Sequence, residues 1–210
     1  GRTWSLERRK AFMEVVNKYE VPVIEDNPYG ELRFEGEYMP ALKSLDTKGL
    51  VIYLGTFSKI LAPGYRLGWV CADDEILAKY NFMEQAASLQ ASTIGQMETS
   101  KWIDMFDLDA HVNTIRECYK KRRTVMLDPL AKELPAPCTF TRPDGGLFAW
   151  VVLPEYMDAK ELQMKCLEKK VAFVPGGSFF PNGGHENTLR LNYSCMPEDK
   201  IVKGITALCQ

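Results

Sequence analysis

The chain has 210 residues with 26 Lys+Arg against 28 Asp+Glu, a formal net charge of -2, and 46% hydrophobic and 26% charged residues. That composition excludes intrinsic disorder and fibrous repeats, and it leaves no basic surplus to hold a nucleic-acid backbone by bulk electrostatics. The longest apolar run, Leu147 to Leu153, has the length of a strand, far below the roughly 20 residues that a membrane helix needs.

Ser5 to Tyr19 reads as a helix: Thr3 or Ser5 can cap it, Glu7 lies in its first turn, and Leu6, Phe12, Met13 and Val16 form an apolar stripe. Val21 to Glu25 is a short β-rich run that ends in the turn signal Asp26-Asn27-Pro28. Leu50 to Leu54 is a second continuous apolar strand, suited to burial on both faces. Gly68 to Ala72 is a third, reached through a loop too short for a crossover helix and therefore expected to run antiparallel to its predecessor.

Asp73 to Ile103 reads as helical with a break around Ser92 to Gly95, and His111 to Lys132 as a long helix with Asp128-Pro129 late in it. Strands at Cys138 to Thr141 and Leu147 to Leu153, a helix at Ala159 to Lys169, strands at Val171 to Val174 and Thr188 to Tyr193, and a helix at Glu198 to Cys209 complete the chain. The expected class is α/β, with an incomplete α/β layer over residues 1–106 and a small α+β domain over 107–210. The cysteines Cys71, Cys118, Cys138, Cys166, Cys195 and Cys209 form no C-x-x-C pair and no Cys/His cluster. Reduced, packed thiols in a cytoplasmic protein are expected, with no metal site.

Chemistry concentrates in Leu54-Gly-Thr-Phe-Ser-Lys-Ile-Leu-Ala-Pro-Gly-Tyr-Arg-Leu-Gly-Trp69. A strand runs out into Thr56, Ser58 and Lys59, and a Pro-Gly turn delivers Arg66 before the chain re-enters the sheet. Ligands of α/β sheets bind beyond the carboxyl ends of strands, where Lys59 is expected. Two hydroxyls and an arginine around one lysine suit a phosphorylated ligand, with Lys59 as a possible amine nucleophile. The competing reading is a solvated lysine beside a structural arginine. In Val23-Ile-Glu-Asp-Asn-Pro-Tyr-Gly30, Asp26 falls at a strand's carboxyl end with Tyr29 three residues on. A carboxylate buried there is costly unless it meets a cation; alone, this segment equally fits a turn aspartate and a packing tyrosine. Gly145-Gly146 and Gly176-Gly177 lack phosphate-loop spacing and read as tight turns. Phe179 and Phe180 fit a substrate entrance or ordinary core, His111 and His185 a surface or capping role, and Lys120 to Arg123 a solvated helix face.

Taken together, Asp-Asn-Pro-Tyr-Gly at 26–30 and Gly-Thr-Phe-Ser-Lys…Pro-Gly-Tyr-Arg-Leu-Gly-Trp at 55–69 resemble the fold-type I, pyridoxal-phosphate-dependent aminotransferases of class I/II. The likeness continues through Arg142-Pro-Asp-Gly-Gly-Leu-Phe-Ala-Trp, Val174-Pro-Gly-Gly-Ser-Phe-Phe180 and Leu189-Arg-Leu-Asn-Tyr-Ser194. It is nearest to the 2-aminoadipate, aromatic and multi-substrate branch, which includes the aminotransferase-like halves of MocR-type regulators. The resemblance implies an aspartate aminotransferase-like fold and transfer of an amino group from an amino acid to a 2-oxo acid on pyridoxal 5'-phosphate. Lys59 would join the cofactor covalently and then serve as the proton-transfer base. Asp26 would pair with the ring nitrogen and Tyr29 with the phenolic oxygen. Thr56, Ser58 and Arg66 would hold the phosphate, and Arg190 the substrate's α-carboxylate.

It also implies a homodimer, and a chain corresponding to the C-terminal half of such an enzyme. Gly1-Arg-Thr-Trp resembles the stretch that begins at the end of the family's Asn-Pro-x-Gly motif, so the missing N-terminal half is an expected partner and this portion alone is expected to be inactive. No nucleic acid or membrane is expected to bind this region. The alternatives are the cofactor-binding effector half of a MocR-type transcription regulator, or a C–S lyase on the same fold.

Overall fold

The structure, a computed structural model, describes residues 1–210. It divides into two compact units, one of Trp4–Ile115 and one of Arg116–Gln210 together with Gly1–Thr3. The division falls within a long helix, α4 (Leu108–Glu133), which the notably late Pro129 does not interrupt.

The first unit begins with helix α1 (Leu6–Tyr19). The Ser5 side chain caps it by accepting from the Arg8 amide at 3.3 Å, and Glu20 ends it in the left-handed region at φ 53°. Strands β1 (Val23–Asp26), β2 (Val51–Thr56) and β3 (Gly68–Cys71) form one sheet in that order. β1 and β2 are parallel, in register from Val23 opposite Val51 to Asp26 opposite Leu54, and β3 runs antiparallel to β2 as the short loop requires.

Because side chains alternate along a strand, Val23, Glu25, Val51 and Tyr53 share one face. That face is covered: Met13 and Val16 of α1, Leu42 and Val51 form a buried cluster, with Phe12, Val23, Leu45 and Leu50 packed around it. Each fully buried aliphatic side chain of this kind contributes about 2 kcal/mol. The opposite face carries Ile24, Asp26, Ile52 and Leu54 and is open enough that Ile24 is 63% exposed. Helices α2 (Asp74–Ala87) and α3 (Thr93–Met105) follow, capped by Asp73 and Ser92; the break falls at residues 88–92, just before the position expected from the sequence.

The second unit holds the antiparallel strands β4 (Thr139–Phe140), β5 (Phe148–Val152), β6 (Val174–Pro175) and β7 (Thr188–Asn192), in the order β4-β5-β7-β6. Helices α5 (Ala159–Glu168) and α6 (Glu198–Cys209) complete it. Ala149, Val151, Leu189 and Leu191 point to the buried side, as do Cys166, Ile201 and Ile205 from the helices. The other side of the sheet presents Trp150, Val174 and Arg190 side by side.

The run Lys120 to Arg123 is not a solvated face. Only Lys121 is exposed, whereas Arg123 is buried and donates to the Pro143 carbonyl at 3.0 Å, and Arg122 donates to the Ser194 carbonyl. On this helix the guanidiniums serve as long donors to loop carbonyls that the strands leave unpaired. His111 likewise packs inward, edge-on to Trp102 at 5.3 Å. All six cysteines are free thiols.

Candidate functional site

The turn between β2 and β3 is built by hydrogen bonds from its own backbone. The Phe57 carbonyl accepts from Leu61 (2.9 Å) and Ala62 (3.1 Å), and the Phe57 amide donates to the Leu67 carbonyl at 3.1 Å. Ile60 and Leu67, 5% and 7% exposed, plug the turn into the unit, and Lys59, just before Ile60, is half-buried. Thr56 closes the base: its hydroxyl donates to the Leu67 carbonyl (3.1 Å) and accepts from the Ser58 amide (3.1 Å). Its proton is thereby committed to the turn, and Ser58 is left as the hydroxyl that faces outward from it.

A short 3-10 turn at Pro63–Tyr65 then delivers Arg66 in the left-handed region at φ 55°. Such a conformation costs a non-glycine residue about 1 kcal/mol, and here it aims the side chain back across the turn. The Arg66 guanidinium donates to Ser58 Oγ at 3.4 Å and to the Pro63 carbonyl at 3.3 Å, and it is exposed. Ser58 accepts this bond, which leaves its own proton to donate. The structure thus brings Thr56, Ser58, Lys59 and Arg66 into one strand–turn–strand segment.

Asp26 ends β1 directly beside Leu54 of β2, so it stands at the same sheet end from which the Lys59 turn departs. Its side chain lies on the open face and is exposed; no burial cost arises there and no cation is needed to offset one. Tyr29, half-buried, precedes a 3-10 turn at Gly30–Leu32 and accepts the Leu32 amide at 2.9 Å.

Two residues that the sequence did not single out, Tyr53 and Glu25, brace this end of the sheet. Asn27 Nδ2 donates to the Tyr53 hydroxyl at 3.1 Å. Burial raises the Tyr53 phenol above its usual value, the Asn27 bond opposes this, and Glu31 and Glu25 add to the rise. On the covered face Glu25 accepts the Leu42 amide at 2.8 Å and the Lys43 amide at 3.0 Å, with Arg9 3.9 Å away. The signals were present, as a carboxylate inside a strand and a tyrosine two residues past a buried valine.

Arg190 belongs to the second unit. It lies between aromatic rings, its guanidinium 4.0 Å from the Phe148 centroid and 4.7 Å from that of Phe179. Its buried Nε has no hydrogen-bond partner. Phe179 is 45% exposed and touches Trp150 edge-on, so it packs on the arginine and still reaches the surface. Gly176 and Gly177 allow close approach there: a Cβ at Gly176 would lie 2.0 Å from the Thr188 hydroxyl, and one at Gly177 2.2 Å from the Glu186 carboxylate.

Chemically, the first unit offers a guanidinium with a hydroxyl for an anion, an amine for a carbonyl, and a carboxylate for a cationic ring nitrogen. The second offers a guanidinium steadied by two rings for a carboxylate.

Comparison with known proteins identifies the family. The family profile described as "Aminotransferase class I and II" matches residues 1–208. Aromatic-amino-acid aminotransferase 1 of Thermococcus litoralis is 43% identical over 210 residues, 100% of this chain and 50% of that protein. Among solved structures, kynurenine aminotransferase of Pyrococcus horikoshii, in complex with PMP, has a TM-score of 0.96 at 42% identity, covering 100% of this chain and 52% of its own. The α-aminoadipate aminotransferase of Thermus thermophilus, complexed with N-(5'-phosphopyridoxyl)-L-leucine, has a TM-score of 0.94 at 37% identity, covering 98% of this chain and 53% of its own. The chain spans about half the length of the relatives it matches.

Proposed function

The chain belongs to the class I and II aminotransferases, and from that premise we propose that it serves the transfer of an amino group from an amino acid to a 2-oxo acid, with pyridoxal 5'-phosphate as cofactor. The donor set fits this group: Lys59 for its aldehyde, Ser58 and Arg66 for its phosphate, Asp26 for its ring nitrogen and Tyr29 for its phenolic oxygen. Thr56 holds the turn that presents them. The observation that carries the reading is the 3.4 Å bond from Arg66 to Ser58 next to Lys59, which joins an anion grip and an amine within one turn.

When bound, the cofactor supplies an electron sink for the carbanion formed as an amino acid loses its α-proton. Lys59 would hold the cofactor through its amine, and its Nζ, when free, would serve as the base that accepts and returns the substrate's proton. Asp26 would hold the ring nitrogen, where its negative charge would favour the protonated form. Arg190 orients the substrate through a two-pronged pair with the α-carboxylate, which its position between Phe148 and Phe179 supports. The large, exposed apolar side chains of α2 and α3, among them Phe82 at 71% and Ile94 at 70%, favour a homodimer. We place the protein in the cytoplasm, in keeping with its free cysteines.

The test is a transamination assay of the protein as encoded, with 2-oxoglutarate as acceptor. Aromatic amino acids, kynurenine and 2-aminoadipate, the compounds in the relatives' names, serve as donors. Activity lost in Lys59→Ala is the expected result; retained transamination in that variant overturns the assignment. Cofactor binding without turnover for any donor would instead favour the effector half of a MocR-type regulator.

A further inference from the structure

In the second unit, a groove of about 400 Å³ runs between the end of α5 and one face of α6. Its floor is apolar, formed by Met126, Val171, Leu191, Ile201, Ile205 and Ala207. Its polar rim is almost entirely cationic: Lys169, Lys170, Lys200 and Lys203 line it, Asn192 is the one other polar side chain, and no carboxylate does.

The rim is fixed by the backbone. The Lys169 amide donates to the Cys166 carbonyl at 3.0 Å, that of Lys170 to Leu167 at 2.9 Å, and that of Val171 to Cys166 at 2.9 Å, with Lys170 left-handed at φ 60°. Lys200 and Gly204 stand one helical turn apart on α6, with Ala207 a further turn on, so they share a face. Gly204 opens that face: a Cβ built there would meet nothing within 4 Å.

Glu168 and Asp199 adjoin Lys169 and Lys200 in the chain, but neither lines the groove, so the charged side chains that an anion seated there would meet are lysines. Lysines supply separate point charges where arginines would supply rigid forks, which suits a single compact anionic head. The apolar floor suits a short hydrocarbon tail, and the volume lies in the range of small-molecule sites. We propose that this groove binds a small amphipathic carboxylate, its tail over Gly204 and its head among the four lysines. The site is separate from the residues assigned to transamination and does not rest on that assignment.

The probe is octanoate, titrated into the protein as encoded with the side-chain methyls of Met126, Leu191, Ile201 and Ile205 observed by NMR; octanol and acetate serve as controls for head and tail. Octanoate is expected to shift these methyls and to bind at least about tenfold more tightly than either control. The Lys200→Gln/Lys203→Gln pair should weaken octanoate about tenfold while leaving octanol unchanged. Gly204→Leu should fill the groove and remove the shifts without lowering the unfolding midpoint. Equal affinity for octanol and octanoate, shifts confined to other methyls, or no saturable binding overturns the proposal. So does unaltered octanoate affinity in the lysine pair, whose exposed positions leave the fold intact.

Discussion

Asn27 and Tyr53 join two strands' worth of site. The Asn27 amide donates to the Tyr53 hydroxyl at 3.1 Å, tying the turn that holds Asp26 and Tyr29 to the strand that runs into Lys59. Gly30 makes room for the tie, because a Cβ there would fall 2.4 Å from the same Asn27 nitrogen.

This tie should be measurable apart from any catalysis. Asn27→Ala and Tyr53→Phe are each expected to lower stability by about 1 kcal/mol, the worth of a half-buried neutral hydrogen bond. The double variant should lose less than the sum, with a coupling of about 1 kcal/mol in a urea-unfolding cycle. Strict additivity would mean that the two side chains do not support each other. Gly30→Ala should mimic Asn27→Ala by displacing the amide.

The loop that starts β2 predicts a pH dependence. Asp46 accepts from the amides of Lys48 (3.1 Å), Leu50 (3.1 Å) and Val51 (2.9 Å) and from Lys43 Nζ (3.1 Å), and its side chain is 1% exposed. Burial pushes its carboxyl up, but the Val51 and Lys48 amides, Lys43 and the Leu50 amide outweigh it and hold the pKa at about 2 against an ordinary 3.8. Since the folded value is the lower one, the contribution is complete above pH 3.8 and is lost as pH falls through about 2. It amounts to about 2 kcal/mol at neutral pH. Asp46→Asn should therefore be destabilised by about that much at pH 7 and converge on the parent near pH 2 in urea midpoints. A gap independent of pH would assign the loss to geometry alone.

Much of this was legible along the chain because period and punctuation agree. α6 spans Glu198–Cys209 as expected, since an amphipathic pattern follows a proline; β5 and β7 lie within a residue of their expected ends, β5 because it falls in an uninterrupted apolar run and β7 because Leu189 and Leu191 alternate with polar residues. The grouping of Thr56, Ser58, Lys59 and Arg66 in one strand–turn–strand segment was legible because an apolar strand, a Pro-Gly turn and a second strand follow one another within a short stretch. What escaped were facts of facing and of distance. The expected strand at 171–174 shrinks to Val174–Pro175, because Val171 instead closes the end of α5. Glu25 serves amides 17 and 18 residues away, which no local pattern encodes. Arg122 and Arg123 turn inward because neighbouring loops offer carbonyls, which charge counting does not reveal.

Those inward arginines carry a prediction of their own. Arg123 is 8% exposed and holds the Pro143 carbonyl at 3.0 Å, so Arg123→Ala should cost about 2–3 kcal/mol through the charged hydrogen bond and the lost packing. Its neighbour Lys121, 69% exposed and 3.5 Å from Glu198, should cost no more than about 0.5 kcal/mol on substitution by alanine. Chemical denaturation of the two variants side by side distinguishes a buried donor from a solvated charge; equal small losses would return the whole run to the surface.

Arg66 sets stability against binding. Its left-handed backbone, φ 55°, costs about 1 kcal/mol, whereas glycine adopts that conformation without steric penalty. Glycine also gives the unfolded chain more freedom, which offsets part of the relief. Arg66→Gly should therefore leave stability unchanged or raise it by up to about 1 kcal/mol, although it removes the bonds to Ser58 and Pro63. The same substitution takes away the only guanidinium of the turn, so affinity for pyridoxal phosphate, followed by cofactor absorbance in the protein as encoded, should fall at least about tenfold. Arg66→Lys retains the charge and loses the fork, so it should lie between parent and glycine in affinity while keeping the backbone strain. A glycine variant that is clearly less stable would show that the arginine's own contacts hold the turn. One that binds the cofactor as the parent does would remove Arg66 from the phosphate site.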